Sequence, residues 1–294
     1  MIRMGGTILA ALLGLAFGSF LNVCLSRWPE GESVVHPRSH CRHCSHTLAW
    51  WENVPLVSWL ALRGRCHSCR AWIGWRYPLV ELAVGVLWAQ QAWGYLSEQS
   101  LDLLIFNLHS PERLVFLIGW AIFPWVLTAL AVLDAENLWL PDWLTLPGIA
   151  LGLVCTILRN RRQMELSALS PPPLAPGALY CLYGIFAAAA LILLIRWVYW
   201  LIRHREGIGL GDAKLMALLA AWLGLPQALL AFGLGVVLGA LAAVVLLVVP
   251  SARRESETWA LSKLPLGTFL CIGGIVSSLW GGHILAAYLR WAGF

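Results

Sequence analysis

Residues 207–224 read GIGLGDAKLMALLAAWLG. Glycines at 207, 209 and 211 lead to Asp212 and Lys214, and an apolar run follows as far as Gly224. A carboxylate placed just before such a run stands at the mouth of a helix that enters an apolar medium. The glycines permit unusual dihedrals and close backbone approach. A phosphate-binding loop fits poorly, because no strand precedes the glycines and the spacing matches no phosphate fingerprint. Two questions follow: which medium the helix enters, and what partner Asp212 finds there.

The rest of the chain answers the first. Of 294 residues, 60% are hydrophobic and 12% are charged, and the mean hydropathy is +0.74. Soluble domains rarely exceed about half apolar. Apolar runs of roughly 20 residues, enough to cross a bilayer core, recur along the chain. Candidate spans fall at about 6–26, 78–97, 113–133, 142–158, 177–200, 210–224, 226–249 and 265–289. The sixth is short and shares a break at Gly224, Leu225 and Pro226 with the seventh. The first follows only MIRMGG, lacks a small-residue cleavage site, and reads as a retained helix. The expected fold is an all-α polytopic membrane protein with about eight transmembrane helices. An even number of spans puts both termini on one side.

Basic residues set the orientation. Seven arginines lie between Arg27 and Arg76; Arg203, Arg205 and Lys214 flank the sixth span, and Arg253, Arg254 and Lys263 precede the eighth. These are 13 of the 20 basic residues and all fall on one side, which is therefore expected to be cytoplasmic, with the N-terminus outside. Three arginines in RNRRQ, residues 159–163, oppose the bias from the other side. The 18 tryptophans, many near span ends, suit an interfacial belt.

The loop after the first span carries CRHC at 41–44 and CHSC at 66–69. Two such knuckles suit tetrahedral thiolate coordination of one zinc ion by Cys41, Cys44, Cys66 and Cys69. A reducing compartment disfavours the rival reading of two disulfides. The metal would staple a polar loop too small to build its own core. His43, His46 and His67 read as solvated loop residues, because four cysteines already complete a site. Cys24, Cys155, Cys181 and Cys271 lie in apolar spans and read as small core residues.

Ionisable groups within spans are rare and usually functional. Asp134 ends the third span and Asp212 begins the sixth, on the same edge. Two carboxylates at one depth on separate helices can face each other across a cleft. Such a pair shares a proton and can activate water. Helix capping explains each of them equally well, since Asp is a common N-cap residue. Asp142, after Pro141, opens the fourth span and reads as a cap. Gly209 and Gly211 offer backbone against which a substrate strand could lie. For Glu81 an ion pair with Arg76 is one reading; the other comes from the resemblance described below, which implies a basic peptide that the arginine-rich loop would not hold and leaves Glu52, Glu81 or anionic lipid headgroups as the candidates to hold it.

Taken together, the sequence resembles the prepilin leader peptidases of type IV pilus and type II secretion systems. The resemblance runs over nearly the whole chain: GSFLNVCLSRWP near the start, the four-cysteine loop with WWENVPLVSWLALRGRC, then WRYPLVEL, DAENLWLPDWLTLP and GIGLGDAKL. It implies that Asp134 and Asp212 are the catalytic aspartates of a GxGD-type intramembrane protease. It also implies cleavage of a short basic leader after glycine at the cytoplasmic face of the bacterial inner membrane, then N-methylation of the new terminus with S-adenosylmethionine. Residues 1–27 become a first membrane helix, 28–77 a cytoplasmic zinc-binding domain and 78–294 a transmembrane peptidase domain. The expected partners are prepilins or pseudopilins and the lipid bilayer, with no nucleic acid. CRHC departs from the family in lacking proline after its first cysteine, and the 159–176 loop is longer than usual.

Three rivals remain. A peptidase without methyltransferase activity is one, since no methyl-donor fingerprint is legible. A zinc-stapled scaffold that needs no aspartate pair is another. A transporter is the third, although there is no internal repeat and the charged residues sit at one face.

Overall fold

The computed structural model describes residues 2–97, 111–166, 174–204, 209–248 and 264–293. The described residues are helical apart from loops, two 3-10 turns (Trp28–Glu30 and Trp50–Asn53) and two isolated β-bridges. The helices are α1 (Ile2–Arg27), α2 (Val57–Ala61), α3 (Arg76–Ser97), α4 (Pro111–Asn137), α5 (Asp142–Leu166), α6 (Leu174–Arg203), α7 (Leu210–Leu223), α8 (Leu225–Val248) and α9 (Leu266–Trp291). Each apolar stretch singled out in the sequence falls on one of them. Five helical stretches are long and apolar enough to cross a membrane: Arg3–Glu30, Leu117–Asn137, Gly177–Arg203, Leu225–Val245 and Leu266–Trp291. The chain is thus a multi-pass, all-helical protein. Arg205, Arg253, Arg254 and Lys263, used above for orientation, lie outside the described residues, as does the 167–173 part of the 159–176 connection.

The chain divides into two compact units, Met1–Ser110 and Pro111–Phe294. In the first, α1 and α3 pack antiparallel along a seam of small residues. A Cβ at Gly14 would lie 2.9 Å from the Gly85 Cα, and one at Gly18 would lie 2.7 Å from the Glu81 Cα. Small residues four apart let helix backbones approach this closely where no hydrophobic effect drives association. Asn22 closes the seam by donating to the Tyr77 carbonyl at 2.9 Å.

In the second unit α7 is the hub. Its 14 residues span about 21 Å at 1.5 Å each, less than a bilayer core. Leu215, Met216, Leu218, Leu219 and Ala221 are fully buried. A helix apolar on every side needs neighbours on every side; α5, α6, α8 and α9 supply most of them, and side chains of α4 reach the remaining face. Trp222 stacks on Phe123 at 4.9 Å and donates its indole N–H to the Gly148 carbonyl at 2.9 Å. The break expected after α7 is Gly224, whose φ of +81° suits only glycine.

Candidate functional site

Asp134 sits in the last turn of α4 and Asp212 in the first turn of α7, and both are buried, with 6% and 8% of their surface exposed. One side chain, Leu140, lies against both Gly211, beside Asp212, and Gly267, which touches the Asp134 carboxylate, so the two groups share one neighbourhood. A buried carboxylate needs donors, and helix N-termini provide them here. Asp212 reaches back three residues to accept the Gly209 N–H at 3.2 Å, the carboxylate half of a capping box. Asp134 caps a different helix. The α9 N-cap position is Pro265, which offers no side-chain cap. The Asp134 Oδ2 fills that role, accepting the Thr268 N–H at 2.6 Å and the Thr268 hydroxyl at 3.1 Å. Gly267, one residue earlier, lies directly against the same carboxylate. Four orphan N–H groups and the positive end of a helix dipole make such a terminus a natural seat for negative charge.

The glycines here have steric reasons. A Cβ at Gly267 would lie 2.9 Å from the Asp134 Cγ, so only glycine lets the carboxylate reach the α9 terminus. A Cβ at Gly211 would meet Leu140 at 3.0 Å, and Leu140 also lies against Gly267. Leu140 therefore fills the space between the start of α7 and the start of α9. Asp142 opens α5, as read from the sequence, and its carboxylate also takes the Lys214 Nζ from α7 at 2.5 Å, an ion pair between helices.

The four cysteines of the first unit converge. Their sulfurs all lie within 4.8 Å of one another, with Cys41–Cys69 at 3.8 Å and Cys44–Cys66 at 4.0 Å. The two knuckles repeat one geometry. Cys41 and Cys66 donate their N–H groups to the carbonyls of His46 and Ala71, both at 2.9 Å. Ser45 and Arg70, each following a knuckle's second cysteine, have φ of 57° and 61°. The bridges His40–Thr47 and Arg65–Trp72 close the two turns. The cluster is sized for one tetrahedrally held metal ion.

Glu52 adds a contact to the reading of two histidines. Its side chain is only 2% exposed, and its Oε2 accepts the Ala49 N–H at 2.7 Å and pairs with the His46 Nε2 at 3.2 Å. His67 Nδ1 lies 3.9 Å from Oε1 and its ring packs edge-on to Trp51. The Ala49 N–H, with help from the imidazoles, holds the Glu52 carboxyl below its ordinary range. His46 and His67 thus flank one buried carboxylate while their own rings stay partly in solvent, and His43 is exposed. Glu81 is also buried, and its Oε2 accepts the Leu56 N–H at 2.8 Å, which pins the loop to the α1–α3 pair. Arg76 donates to the Ser26 hydroxyl at 2.6 Å.

Sequence reasoning missed Gly267, Thr268 and Leu140. None carries a charge, and none stands at an informative spacing from either aspartate. The partial signal was Pro265, a helix start without a capping side chain.

Two family models match the chain: the bacterial peptidase A24 N-terminal domain over residues 12–95 and the type IV leader peptidase family over 121–244. Proteins named prepilin leader peptidase/N-methyltransferase are similar along nearly the whole length. Those of Stutzerimonas stutzeri and Pseudomonas aeruginosa are each 34% identical, covering 96% of this chain and 93% of theirs. That of Aeromonas hydrophila is 31% identical over the same shares. No solved structure gave a significant match. A match that spans both units at this identity, on a chain with two helix-capping carboxylates and a four-thiol cluster, places the chain in the type IV leader peptidase family.

Proposed function

We propose that this protein cleaves the short basic leader from type IV prepilins or type II secretion pseudopilins after a glycine, and then N-methylates the exposed amine. The observation carrying the proposal is the buried pair Asp134 and Asp212, each seated on a helix N-terminus, in a chain whose relatives bear both activities in their name. Two carboxylates this close cannot both ionise cheaply, so the pair holds one proton. Asp134 accepts two hydrogen bonds from Thr268 and Asp212 one from Gly209, so the charge rests on Asp134 and the proton on Asp212. Asp134 takes a proton from water as the oxygen attacks the scissile carbonyl, and Asp212 protonates the carbonyl oxygen. Collapse breaks the C–N bond: the amine leaves with the proton from Asp134, and as the C=O re-forms a hydroxyl of the diol returns its proton to Asp212, which restores the pair. Gly209 and Gly211 present backbone along which the substrate strand lies.

The finer features belong to the same reading. Eight helices cross the bacterial inner membrane, with the knuckle loop, the turn between α4 and α5 and the start of α7 at the cytoplasmic face. The metal is one zinc ion, because four thiolates about 2.3 Å from zinc stand about 3.8 Å apart, close to the spacings present. Cys41, Cys44, Cys66 and Cys69 would hold it. When bound it supplies folding energy and no water-activating position. S-adenosylmethionine is the methyl donor, a co-substrate. A leader contact by Glu81 is a separate proposal, and an unchanged apparent affinity in Glu81→Gln removes it.

The test is direct. The purified protein is mixed with a leader-bearing pilin peptide and S-adenosylmethionine, and the products are weighed by mass spectrometry. The expected products are the free leader and a mature chain heavier by one methyl group. An intact substrate would refute the peptidase, and an unmethylated mature chain would leave the peptidase alone.

A further inference from the structure

Thr268 contacts Asp134 twice although 134 residues separate them. Its backbone N–H donates to the Asp134 Oδ2 at 2.6 Å, and its hydroxyl reaches the same oxygen at 3.1 Å. The hydroxyl has a second acceptor, the Ala131 carbonyl at 3.0 Å, one turn earlier on α4. It carries a single proton and can satisfy one of these at a time. Which acceptor wins depends on charge. Against a carboxylate the bond is charge-assisted and roughly twice as strong as a neutral one. Against a neutral carboxyl group that advantage is gone, and the Ala131 carbonyl, which has a second lone pair beyond its helical bond, competes on equal terms.

We propose that Thr268 is a positioning residue for Asp134, whose hydroxyl follows the charge on that carboxylate through the reaction. The inference rests on the peptidase reading above. While Asp134 is ionised the hydroxyl turns to Oδ2. Together with its own backbone N–H it fixes the plane of the carboxylate and keeps Oδ2 occupied, so that proton transfer runs through Oδ1. Once Asp134 has taken the proton from water, the hydroxyl turns to the Ala131 carbonyl. No covalent bond changes at Thr268; the step is a rotation about Cβ–Oγ1. Two features equip the site for this. The N–H of Thr268 is fixed by the α9 terminus and cannot adapt, whereas the hydroxyl can. Gly267 leaves the carboxylate room to seat against both.

Two substitutions separate the hydroxyl from the shape of the side chain. Thr268→Val keeps the branched shape and the backbone donor but removes the hydroxyl. Thr268→Ser keeps the hydroxyl. Cleavage of a leader-bearing pilin peptide is measured for kcat and KM, and methylation of a pre-cleaved pilin is measured in parallel. The expected result is a fall in kcat of about 10- to 100-fold for Thr268→Val, the worth of a hydrogen bond to a charged group. KM and methylation stay within about 3-fold, and Thr268→Ser stays near the unsubstituted rate. Equal kcat for Thr268→Val overturns the inference and leaves the peptidase reading intact. Loss in both variants, or loss of methylation along with cleavage, assigns Thr268 to packing and overturns it as well. If the unsubstituted protein does not cleave the peptide, the peptidase reading fails and takes this inference with it.

Discussion

The thiol cluster and the carboxylate pair are built in opposite ways. The four cysteines come from two short turns, 25 residues apart at equivalent positions, and each turn carries its own bridge and its own positive-φ residue. The carboxylates come from helices 78 residues apart in sequence, and one is held by a third helix a further 56 residues on. The first site is assembled by local geometry and completed by a metal. The second exists only once α4, α7 and α9 have packed. The thiol cluster should therefore fail locally, and the carboxylate pair should fail whenever the packing around it shifts.

The largest effect expected tests the second half of that contrast. Asp134→Asn and Asp212→Asn each remove one proton-transfer group while keeping shape and part of the hydrogen bonding. Leader cleavage should fall by at least about 1,000-fold, within the range for general acid–base groups. Folded protein in the membrane and methylation of pre-cleaved pilin should persist. Normal cleavage by either variant ends the catalytic assignment and leaves both residues as helix caps.

Next in size is Gly267→Ala. The new Cβ would lie 2.9 Å from the Asp134 Cγ, and the neighbour that must give is a buried carboxylate rather than a flexible tip. Overpacking of this kind costs about 1–3 kcal/mol. Cleavage should drop about 10- to 100-fold, with a lower melting temperature. A variant as active and as stable as the original would mean that Asp134 does not need its seat on α9.

The metal site should respond differently. Replacing Cys66 and Cys69 by Ser should abolish bound zinc, measured as metal per mole of protein. The knuckle loop should loosen, since structural zinc contributes folding energy directly. Methylation should fall by more than cleavage does, because four thiolates leave no open position for a hydrolytic water. Full retention of zinc would refute the four-thiolate site. Loss of cleavage with normal methylation of pre-cleaved pilin would reverse the assignment of the loop.

These differences in construction also decide what the sequence could disclose. The helices were legible because repeated apolar runs of bilayer length belong almost only to membrane-crossing helices. The cysteine cluster was legible because two CxxC turns carry their geometry in their spacing. Asp134 and Asp212 stood out because charge in an apolar stretch is costly. Their seat did not. Capping is usually read from an oxygen-bearing side chain just before a helix, and α9 begins after Pro265 with a cap supplied from α4. The solvated reading of His67 holds, since its side chain is 54% exposed, but spacing did not show that both His46 and His67 flank the carboxylate of Glu52, which is buried between them. Polarity alone does not reveal that a loop folds over its own carboxylate.

Glu52→Gln sharpens that point at moderate scale. The carboxylate accepts the Ala49 N–H and pairs with His46, and an amide keeps one acceptor but loses the charge. Zinc should still bind, but its release to a chelator should quicken several-fold, by analogy with the 10- to 100-fold cost of losing partners around a metal's ligands. Leader cleavage should be unchanged. Because the Glu52 carboxyl is held low in the folded loop, its charge stabilises the loop at neutral pH. That contribution is full above the unfolded value of about 4.3 and is lost as pH falls through the lower folded value. Glu52→Gln should flatten this acid limb of loop stability, and an unchanged limb would assign it to another group.

The smallest effect is expected at the ion pair closest in sequence to the carboxylates. Lys214 follows Asp212 by two residues and joins Asp142 across α5 and α7. Proximity alone would suggest a large role. Exposure argues against one, since the Asp142 side chain is more than half exposed and that of Lys214 about a third. Water and salt screen such a pair, and measured values for exposed pairs run from about 0 to 1 kcal/mol. Lys214→Met should therefore lower stability by no more than about 1 kcal/mol, and 0.5 M salt should erase most of the difference. Cleavage should stay within about 3-fold, the rate equivalent of less than 1 kcal/mol. A much larger loss in Lys214→Met, rescued by Lys214→Arg, would show that the positive charge acts on the Asp134–Asp212 pair itself. The carboxylate site would then extend to its solvent edge, and its boundary with the surrounding scaffold would have to be redrawn at α5.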